Sequence, residues 1–234
     1  LRGNPVRNLP GAGGTGTSTG ASVIGISFTS TTPNQTVEQN TISALGNTNA
    51  AAATTVAGIQ FTGGTGANLV QRNSIHSLSV ASATGLVNGI NVSGGTTTYR
   101  NNFIRLGTDA AGADITVGAA ISGFNEFLGT NQVFNNTIVV SGSGVGGAAN
   151  SFAFNGQQTV NTRSFQNNIF LNTRSNGAGT GKHYAIRVGG TTPSPTGLTS
   201  NYNVLFASGS GGVLGLFNLV DAANLAAWQT ATGQ

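Results

Sequence analysis

Residues 37–45 read VEQNTISAL, and a similar phrase returns as VQRNSIHSL at residues 70–78. Shorter versions follow as YRNNFIRLG at residues 99–107, VFNNTIVVS at residues 133–141 and FQNNIFLNT at residues 165–173. Aligning the phrases, with a sixth and weaker copy, gives a column of asparagines spaced 29 to 35 residues apart. These are Asn40, Asn73, Asn102, Asn136, Asn168 and Asn203.

Apolar residues flank this Asn column at fixed distances. Three positions before each of the first five asparagines stand Val37, Val70, Tyr99, Val133 and Phe165. Two positions after the asparagines stand Ile42, Ile75, Ile104, Ile138, Phe170 and Leu205. This alternation is typical of a strand with one buried face. The sixth copy has Ser200 in the first of these places, so its register is the least defined.

A second phrase precedes each Asn by 12 to 18 residues. It reads VIGISF at residues 23–28, VAGIQF at residues 56–61 and VNGINV at residues 87–92, with looser copies later. Each repeat therefore holds two short strands joined by Gly, Thr and Ser turns. A period of 20 to 50 residues without amphipathic helices indicates a β-solenoid. The sequence predicts an all-β parallel β-helix of about six coils.

The repeated Asn has a physical explanation in this fold. When coils stack, an Asn at a bend can hydrogen-bond to the backbone and to the Asn of the neighbouring coil. An unpaired buried amide would cost about 1–3 kcal/mol, whereas a continuous ladder satisfies each member through its neighbours. The six asparagines are therefore predicted to form a structural ladder.

The repeats divide the chain into three parts. Residues 1–21 are rich in Gly and Pro and are predicted to be a linker or the remnant of an upstream coil. Residues 22–210 are predicted to form the β-helix, and residues 211–234 a truncated C-terminal cap. In that cap we expect Asp221 to N-cap a short helix whose Leu225 and Trp228 cover the last coil.

The composition is unusually low in charge. Only 6% of the residues are Asp, Glu, Lys or Arg, against about a quarter in typical soluble proteins. The formal net charge is +4, but the basic residues are scattered, which argues against a nucleic-acid partner. No apolar run is long enough for a transmembrane helix. The sequence contains neither Cys nor Met, so we expect no thiol chemistry and a chain cut from a longer protein.

Few side chains offer chemistry. The carboxylates are Glu38, Asp109, Asp114, Glu126 and Asp221. Hydrolysis of a glycosidic bond needs two carboxylates on either side of the substrate. Only Asp109 and Asp114 are close in sequence, in the loop GTDAAGADIT, where they are candidate Ca²⁺ ligands with a solvated turn as the favoured alternative. No other metal or cofactor is predicted.

A basic patch is the second candidate site. Arg72, His76, Arg100 and Arg105 fall in adjacent coils, and the register should stack His76 and Arg105 on one outer face. The patch is a candidate docking surface for an acidic sugar. Because it lacks acidic partners, it does not predict catalysis, and solvated side chains are the favoured alternative.

The chain resembles large secreted bacterial surface proteins with right-handed parallel β-helix repeats, a pectate-lyase-like solenoid. The resemblance covers roughly residues 21–234. It rests on the phrases NNTI, NNFI and NNIF, on GKHYAIRVGGTTPSPTGLTSNYNVLF at residues 181–206, and on the tail LAAWQTATGQ at residues 225–234. It implies a right-handed solenoid in an extracellular or bacterial cell-surface location, and no catalytic motif is matched.

These observations favour a non-catalytic structural or adhesive surface module. Low charge removes much of the repulsion between copies, so a homo-oligomer or filament is expected, and polar faces suit polysaccharide binding. The alternative is a polysaccharide lyase or glycoside hydrolase that acts on acidic polysaccharide through the face of Arg72, Arg100 and Arg105.

Overall fold

The computed structural model describes residues 1–14, 16 and 22–234. It is a mostly β structure whose parallel sheets stack as a β-solenoid of about six turns, with one short C-terminal helix, which confirms the predicted fold class. In chain order the elements are β1 (Pro5–Gly11), β2 (Val23–Phe28), β3 (Thr36–Glu38), β4 (Thr41–Asn47), β5 (Thr55–Thr62), β6 (Asn68–Gln71), β7 (Ser74–Val80), β8 (Leu86–Arg100), β9 (Phe103–Leu106), β10 (Ala120–Phe134), β11 (Thr137–Val140), β12 (Ser151–Gly156), β13 (Arg163–Gln166), β14 (Ile169–Asn172), β15 (His183–Val188), β16 (Leu198–Asn201), β17 (Val204–Ala207), β18 (Gly212–Phe217), β19 (Val220–Ala222) and α1 (Leu225–Thr232).

The strands lie on three faces of the solenoid. The first face has the order β2, β5, β8, β10, β12, β15 and β18, and the antiparallel β19 covers its C-terminal edge. The second face is built from β3, β6, the C-terminal parts of β8 and β10, β13 and β16. The third face is a seven-stranded parallel sheet with the order β1, β4, β7, β9, β11, β14 and β17.

Stacked apolar columns fill the interior. On the third face Ile42 pairs with Ile75, and Ile75 pairs with Ile104, as the repeat predicts. Phe154 stacks on Phe124 at 5.3 Å between ring centroids and on Phe170 at 5.0 Å, which joins the first and third faces. Parallel register places like residues on like residues, so one nine-residue phrase builds a continuous core.

The bend between the second and third faces depends on one backbone conformation. The residue immediately before each ladder Asn has φ between 55° and 60°, in the left-handed region. These residues are Gln39, Arg72, Asn101, Asn135, Asn167 and Tyr202. Asn tolerates this region better than other residues with a side chain, which explains the repeated NN pair.

The Gly of the VxGI phrase is required by close approach between coils. A Cβ atom on Gly58 would lie 2.6 Å from the carbonyl oxygen of Gly89, and one on Gly89 would lie 2.4 Å from that of Gly123. No side chain fits at these distances, so this position of the first-face strands β5 and β8 requires Gly.

The N-terminal segment forms part of the solenoid. β1 pairs in parallel with β4, so Pro5–Gly11 is a strand of the third face and not a linker. Of the remaining segment predicted as linker or upstream coil, residues 15 and 17–21 lie outside the described residues.

The C-terminal cap differs from the prediction in three respects. β18 pairs in parallel with β15, so the solenoid extends past residue 210 to Phe217. The N-cap of α1 is Asn224, whose Oδ1 accepts from the amide of Ala227, and not Asp221, which lies in β19. Trp228 is buried where Gly215 leaves room for its ring, but Leu225 is 54% exposed. The helix begins later than predicted because β19 occupies residues 220–222.

Candidate functional site

A groove lies on the outer surface of the first face. It has a volume of 530 Å³ and spans four neighbouring strands, β5, β8, β10 and β12. Its floor includes Asn91, Asn125 and Asn155, and its margins include Leu86 and Leu128. At about 4.8 Å per strand, the floor extends for roughly 14 Å along the solenoid axis. This length suits an extended chain molecule.

The floor of the groove is a ladder of side-chain amides. Asn91 donates from Nδ2 to Oε1 of Gln60 at 2.6 Å, and Asn125 donates to Oδ1 of Asn91 at 2.7 Å. Asn155 then donates to Oδ1 of Asn125 at 2.9 Å, and Gln157 donates to the same oxygen at 3.0 Å. The parallel register that stacks the core also aligns these outward side chains.

One wall of the groove is a bulge in β10. The pairing with β8 shifts register on both sides of Leu128, and the extra residue leaves Phe127 55% exposed and Leu128 49% exposed. Two side-chain amides hold this wall in place. Gln158 donates to the carbonyl oxygen of Phe127, and Asn131 donates to that of Leu128 at 3.2 Å. The wall thus exposes apolar side chains, while hydrogen bonds to its backbone carbonyl groups hold it in place.

A buried carboxylate supports the same wall from inside. Glu126 is fully buried, and its Oε1 accepts from Nδ2 of Asn131 at 2.8 Å, while Oε2 has no hydrogen-bond partner among the described residues. Burial raises the pKa of Glu126 to about 7, although the Asn131 hydrogen bond and the charge of Arg163 oppose this shift. A carboxyl group in this position holds its proton at mildly acidic pH.

No side chain that lines the groove in the described part of the chain is charged. No protein family model, no curated protein and no solved structure matches this chain.

At the C-terminal end of the groove Phe152 stacks on Tyr184 at 5.2 Å, and the guanidinium of Arg187 lies 6.0 Å from the Phe152 ring. The groove therefore combines amides, aliphatic side chains and aromatic rings.

The predicted basic patch lies away from the groove. His76 and Arg105 are paired on adjacent strands of the third face. Arg100 lies on the second face and donates from Nε to Gln71 at 2.9 Å, and Arg72 occupies the bend between these faces. The structure brings His76 and Arg105 together as neighbours, with the two other arginines around the bend.

The predicted Ca²⁺ candidates serve as acceptors within loops. Oδ1 of Asp109 accepts from the amides of Ala111 and Ala113, and Oδ2 of Asp114 accepts from the amide and hydroxyl of Ser143. The hydrogen bonds from Ser143 hold the pKa of Asp114 below its ordinary value. In the described residues no group of three or more His, Cys, Asp or Glu side chains is placed to hold a metal ion.

The six predicted asparagines lie in one internal ladder. Nδ2 of Asn40 donates to Oδ1 of Asn73 at 2.9 Å, and the same bond repeats at 2.9 to 3.0 Å up to Asn203. The backbone amide of each Asn donates to the same oxygen, so each rung makes a pair of bonds. Asn4 adds a rung that the sequence phrase does not mark, at 3.1 Å from Asn40.

Sequence reasoning missed a second buried polar cluster. Arg174 is fully buried and donates to the carbonyl oxygens of Ile115, Val117 and Ala119. His183, also buried, contacts Oγ of Ser151 at 2.9 Å through Nδ1. Burial lowers the pKa of His183 to about 4, with a smaller contribution from the charge of Arg174. No motif marks these residues, because their partners are mostly backbone oxygens in other coils.

The predicted cap residue Asp221 has another role. It accepts from the hydroxyl of Tyr184 at 2.9 Å and pairs with Lys182. These contacts tie β19 to β15 beside the end of the groove. Among the described residues, no helix has the length and apolar character required to cross a membrane.

Proposed function

We propose that this β-solenoid is a non-catalytic extracellular or cell-surface module that binds an uncharged polysaccharide along the groove of its first face. The supporting observation is the union of an amide floor with apolar walls in a groove of 530 Å³. Amides hydrogen-bond to sugar hydroxyl groups, while apolar side chains cover the C–H faces of sugar rings. The resemblance in sequence to secreted surface proteins supports the proposed location.

The absence of charge in the groove favours a neutral ligand. Arg187 lies beside Phe152 and Asn155 at the C-terminal end of the groove, but carboxylates of an acidic polysaccharide farther along the floor would lose water without a charged partner among the lining residues, which is unfavourable. The carboxyl group of Glu126, which supports the wall from inside, is fully buried. A hydrolase needs two accessible carboxylates, and none lines the groove among the described residues. Binding without turnover is therefore the better-supported function.

Affinity electrophoresis in gels that contain soluble neutral polysaccharides tests this proposal. We expect at least one neutral polysaccharide to retard the protein, and Phe127→Ala to reduce the retardation at least fivefold. Phe103→Ala is the matched control, because Phe103 is an exposed phenylalanine on the third face. No retardation by any neutral polysaccharide, or equal loss in both variants, would contradict the proposal.

Product assays with a uronate polymer, together with gels that contain this polymer, test the alternative function. A lyase or hydrolase of acidic polysaccharide should release unsaturated or reducing products from a uronate polymer, and Arg105→Ala should reduce their rate. Binding to the uronate polymer that disappears with salt and with Arg105→Ala would place the ligand on the basic patch and away from the groove. Self-association through the weakly charged surface remains a separate proposal, which sedimentation velocity at several protein concentrations tests.

A further inference from the structure

The hydrogen-bonding state of the groove floor restricts the ligand further. Asn91, Asn125 and Asn155 each use one N–H of their side-chain amide in the ladder. An amide nitrogen carries two N–H groups, and in the described residues the second N–H of these three side chains has no protein acceptor. The floor therefore holds three unused donors at intervals of about 4.8 Å.

The acceptors of the floor are largely occupied. Oδ1 of Asn125 accepts two hydrogen bonds, from Asn155 and Gln157, which fills both of its lone pairs. Oδ1 of Asn155 accepts from the guanidinium of Arg187 at 3.5 Å. Among Asn91, Asn125 and Asn155, a ligand therefore meets three N–H groups and two lone pairs that the ladder does not use. Groups that only accept, such as carbonyl oxygens, satisfy such a surface better than hydroxyl groups, which must also donate.

The margins of the groove offer small apolar surfaces on both sides. Leu86 is 37% exposed on one side, and Phe127 and Leu128 form the bulged wall on the other. The aromatic ring of Phe127 can cover a flat sugar ring, while the branched aliphatic side chains of Leu86 and Leu128 can contact compact groups such as methyls. A ligand with both carbonyl oxygens and methyl groups along its length matches floor and margins together.

We infer that the groove selects a polymer of N-acetylated hexosamines, whose acetamido carbonyls accept from the amides of the floor while the methyl groups, which alternate between the two edges of the chain, pack against Leu86 on one side and Leu128 on the other. This inference rests on the proposed function and specifies its ligand. It also predicts discrimination against the deacetylated polymer. The ammonium groups of that polymer would enter an uncharged groove, and the carboxyl group of Glu126 lies buried behind the wall.

Isothermal titration calorimetry with three hexasaccharides tests this inference. The probes are the β-1,4-linked hexamers of N-acetylglucosamine, glucose and glucosamine, which share a backbone and differ at one substituent. We expect the acetylated hexamer to bind at least tenfold more tightly than each of the others. If the glucose or glucosamine hexamer binds as tightly, the inference is wrong although the groove still binds sugar. If no neutral saccharide binds, both the inference and the proposed function are wrong.

Two variants test whether Leu128 contacts the methyl groups of the acetylated hexamer. Leu128→Ser should weaken binding of the acetylated hexamer at least fivefold and leave binding of the glucose hexamer within twofold. Leu219→Ser is the matched control, since Leu219 is exposed near the C-terminal end of the solenoid, outside the groove. Both positions are exposed, so folding should persist, and circular dichroism verifies it. An unchanged preference in Leu128→Ser would overturn the assignment of the methyl contacts.

Discussion

Asn131 donates a hydrogen bond of 2.8 Å from Nδ2 to Oε1 of Glu126 in the closed interior of the solenoid. The same amide nitrogen also donates to the carbonyl oxygen of Leu128, which lies in the wall of the groove. One side chain thus links a buried carboxyl group to the ligand-facing surface. The protonation of Glu126 is therefore linked to the stability of the segment that forms the wall.

The raised pKa of Glu126 predicts a dependence of stability on pH. In the unfolded chain this group loses its proton near its ordinary pKa of 4.5, whereas the folded chain keeps it up to about pH 7. The contribution of Glu126 to the free energy of unfolding should therefore fall as pH rises from 4.5 to 7, by about 3 kcal/mol. Glu126→Gln removes this dependence. Urea unfolding of both proteins across this range measures it, and parallel profiles would contradict the assignment.

The lowered pKa of His183 predicts a contribution to stability that rises with pH, opposite to that of Glu126. Its pKa falls from 6.5 to about 4 on folding, so between these values the unfolded chain binds a proton that the folded chain does not. The contribution of His183 to the free energy of unfolding should rise with pH across that range, by about 3 kcal/mol. His183→Gln should remove it. Because the two slopes oppose each other, the wild type should show a flatter profile between pH 4.5 and 6.5 than either variant.

The internal ladder predicts that the loss of stability on removing an Asn depends strongly on its position in the ladder. Asn102 accepts from the backbone and side chain of Asn73 and donates to Asn136 and to the carbonyl oxygen of Val70. Asn102→Ala leaves several buried groups unpaired and should lower the free energy of unfolding by about 3 kcal/mol or more. Asn4→Ala, in the outermost rung, should cost about 1 kcal/mol. Similar losses at both positions, measured by urea unfolding, would contradict a cooperative ladder.

The bend before the last rung predicts a stabilising substitution. Tyr202 has φ of 60° and is 83% exposed, so its backbone is strained while its side chain makes little contact. Tyr202→Asn should raise the free energy of unfolding by about 1 kcal/mol, because Asn tolerates the left-handed region. Tyr202→Phe keeps the strain and should leave stability unchanged. Thermal unfolding compares the three proteins, and a less stable Asn variant would be evidence against strain at this bend.

The solenoid and its internal ladder could be predicted because every coil repeats their determinants. Ile42 and Ile75 occupy equivalent places in two copies of one phrase, and parallel stacking converts equal positions into contacts. The cap was harder to place. Both Asp221 and Asn224 precede the helix and can N-cap it, and only the pairing of β19 with β18 decides between them.

The wall of the groove could not be predicted because it is not repeated, whereas the floor is a repeated column in which Asn91 pairs with Asn125 and Asn125 with Asn155. The wall depends on the shifts of register around Leu128 in β10, which no phrase marks, and the pairing of β8 with β5 is irregular nearby, after Phe61. Glu126 replaces an apolar residue of the stacked column, opposite Val92, and its partner Asn131 lies five positions later. Such pairs arise from local irregularity, where a pattern drawn from several coils carries no information.

The two amide ladders run in opposite directions along the solenoid. In the interior each Nδ2 points toward the coil that follows, as from Asn73 to Asn102, whereas on the groove floor each points toward the coil that precedes, as from Asn125 to Asn91. The amide dipoles of the two ladders oppose each other, but those of the groove floor all point the same way along the solenoid axis. A sugar chain has a reducing end and a non-reducing end, so the two ways of laying it on this floor are unequal in energy. Bound chains should therefore all point the same way.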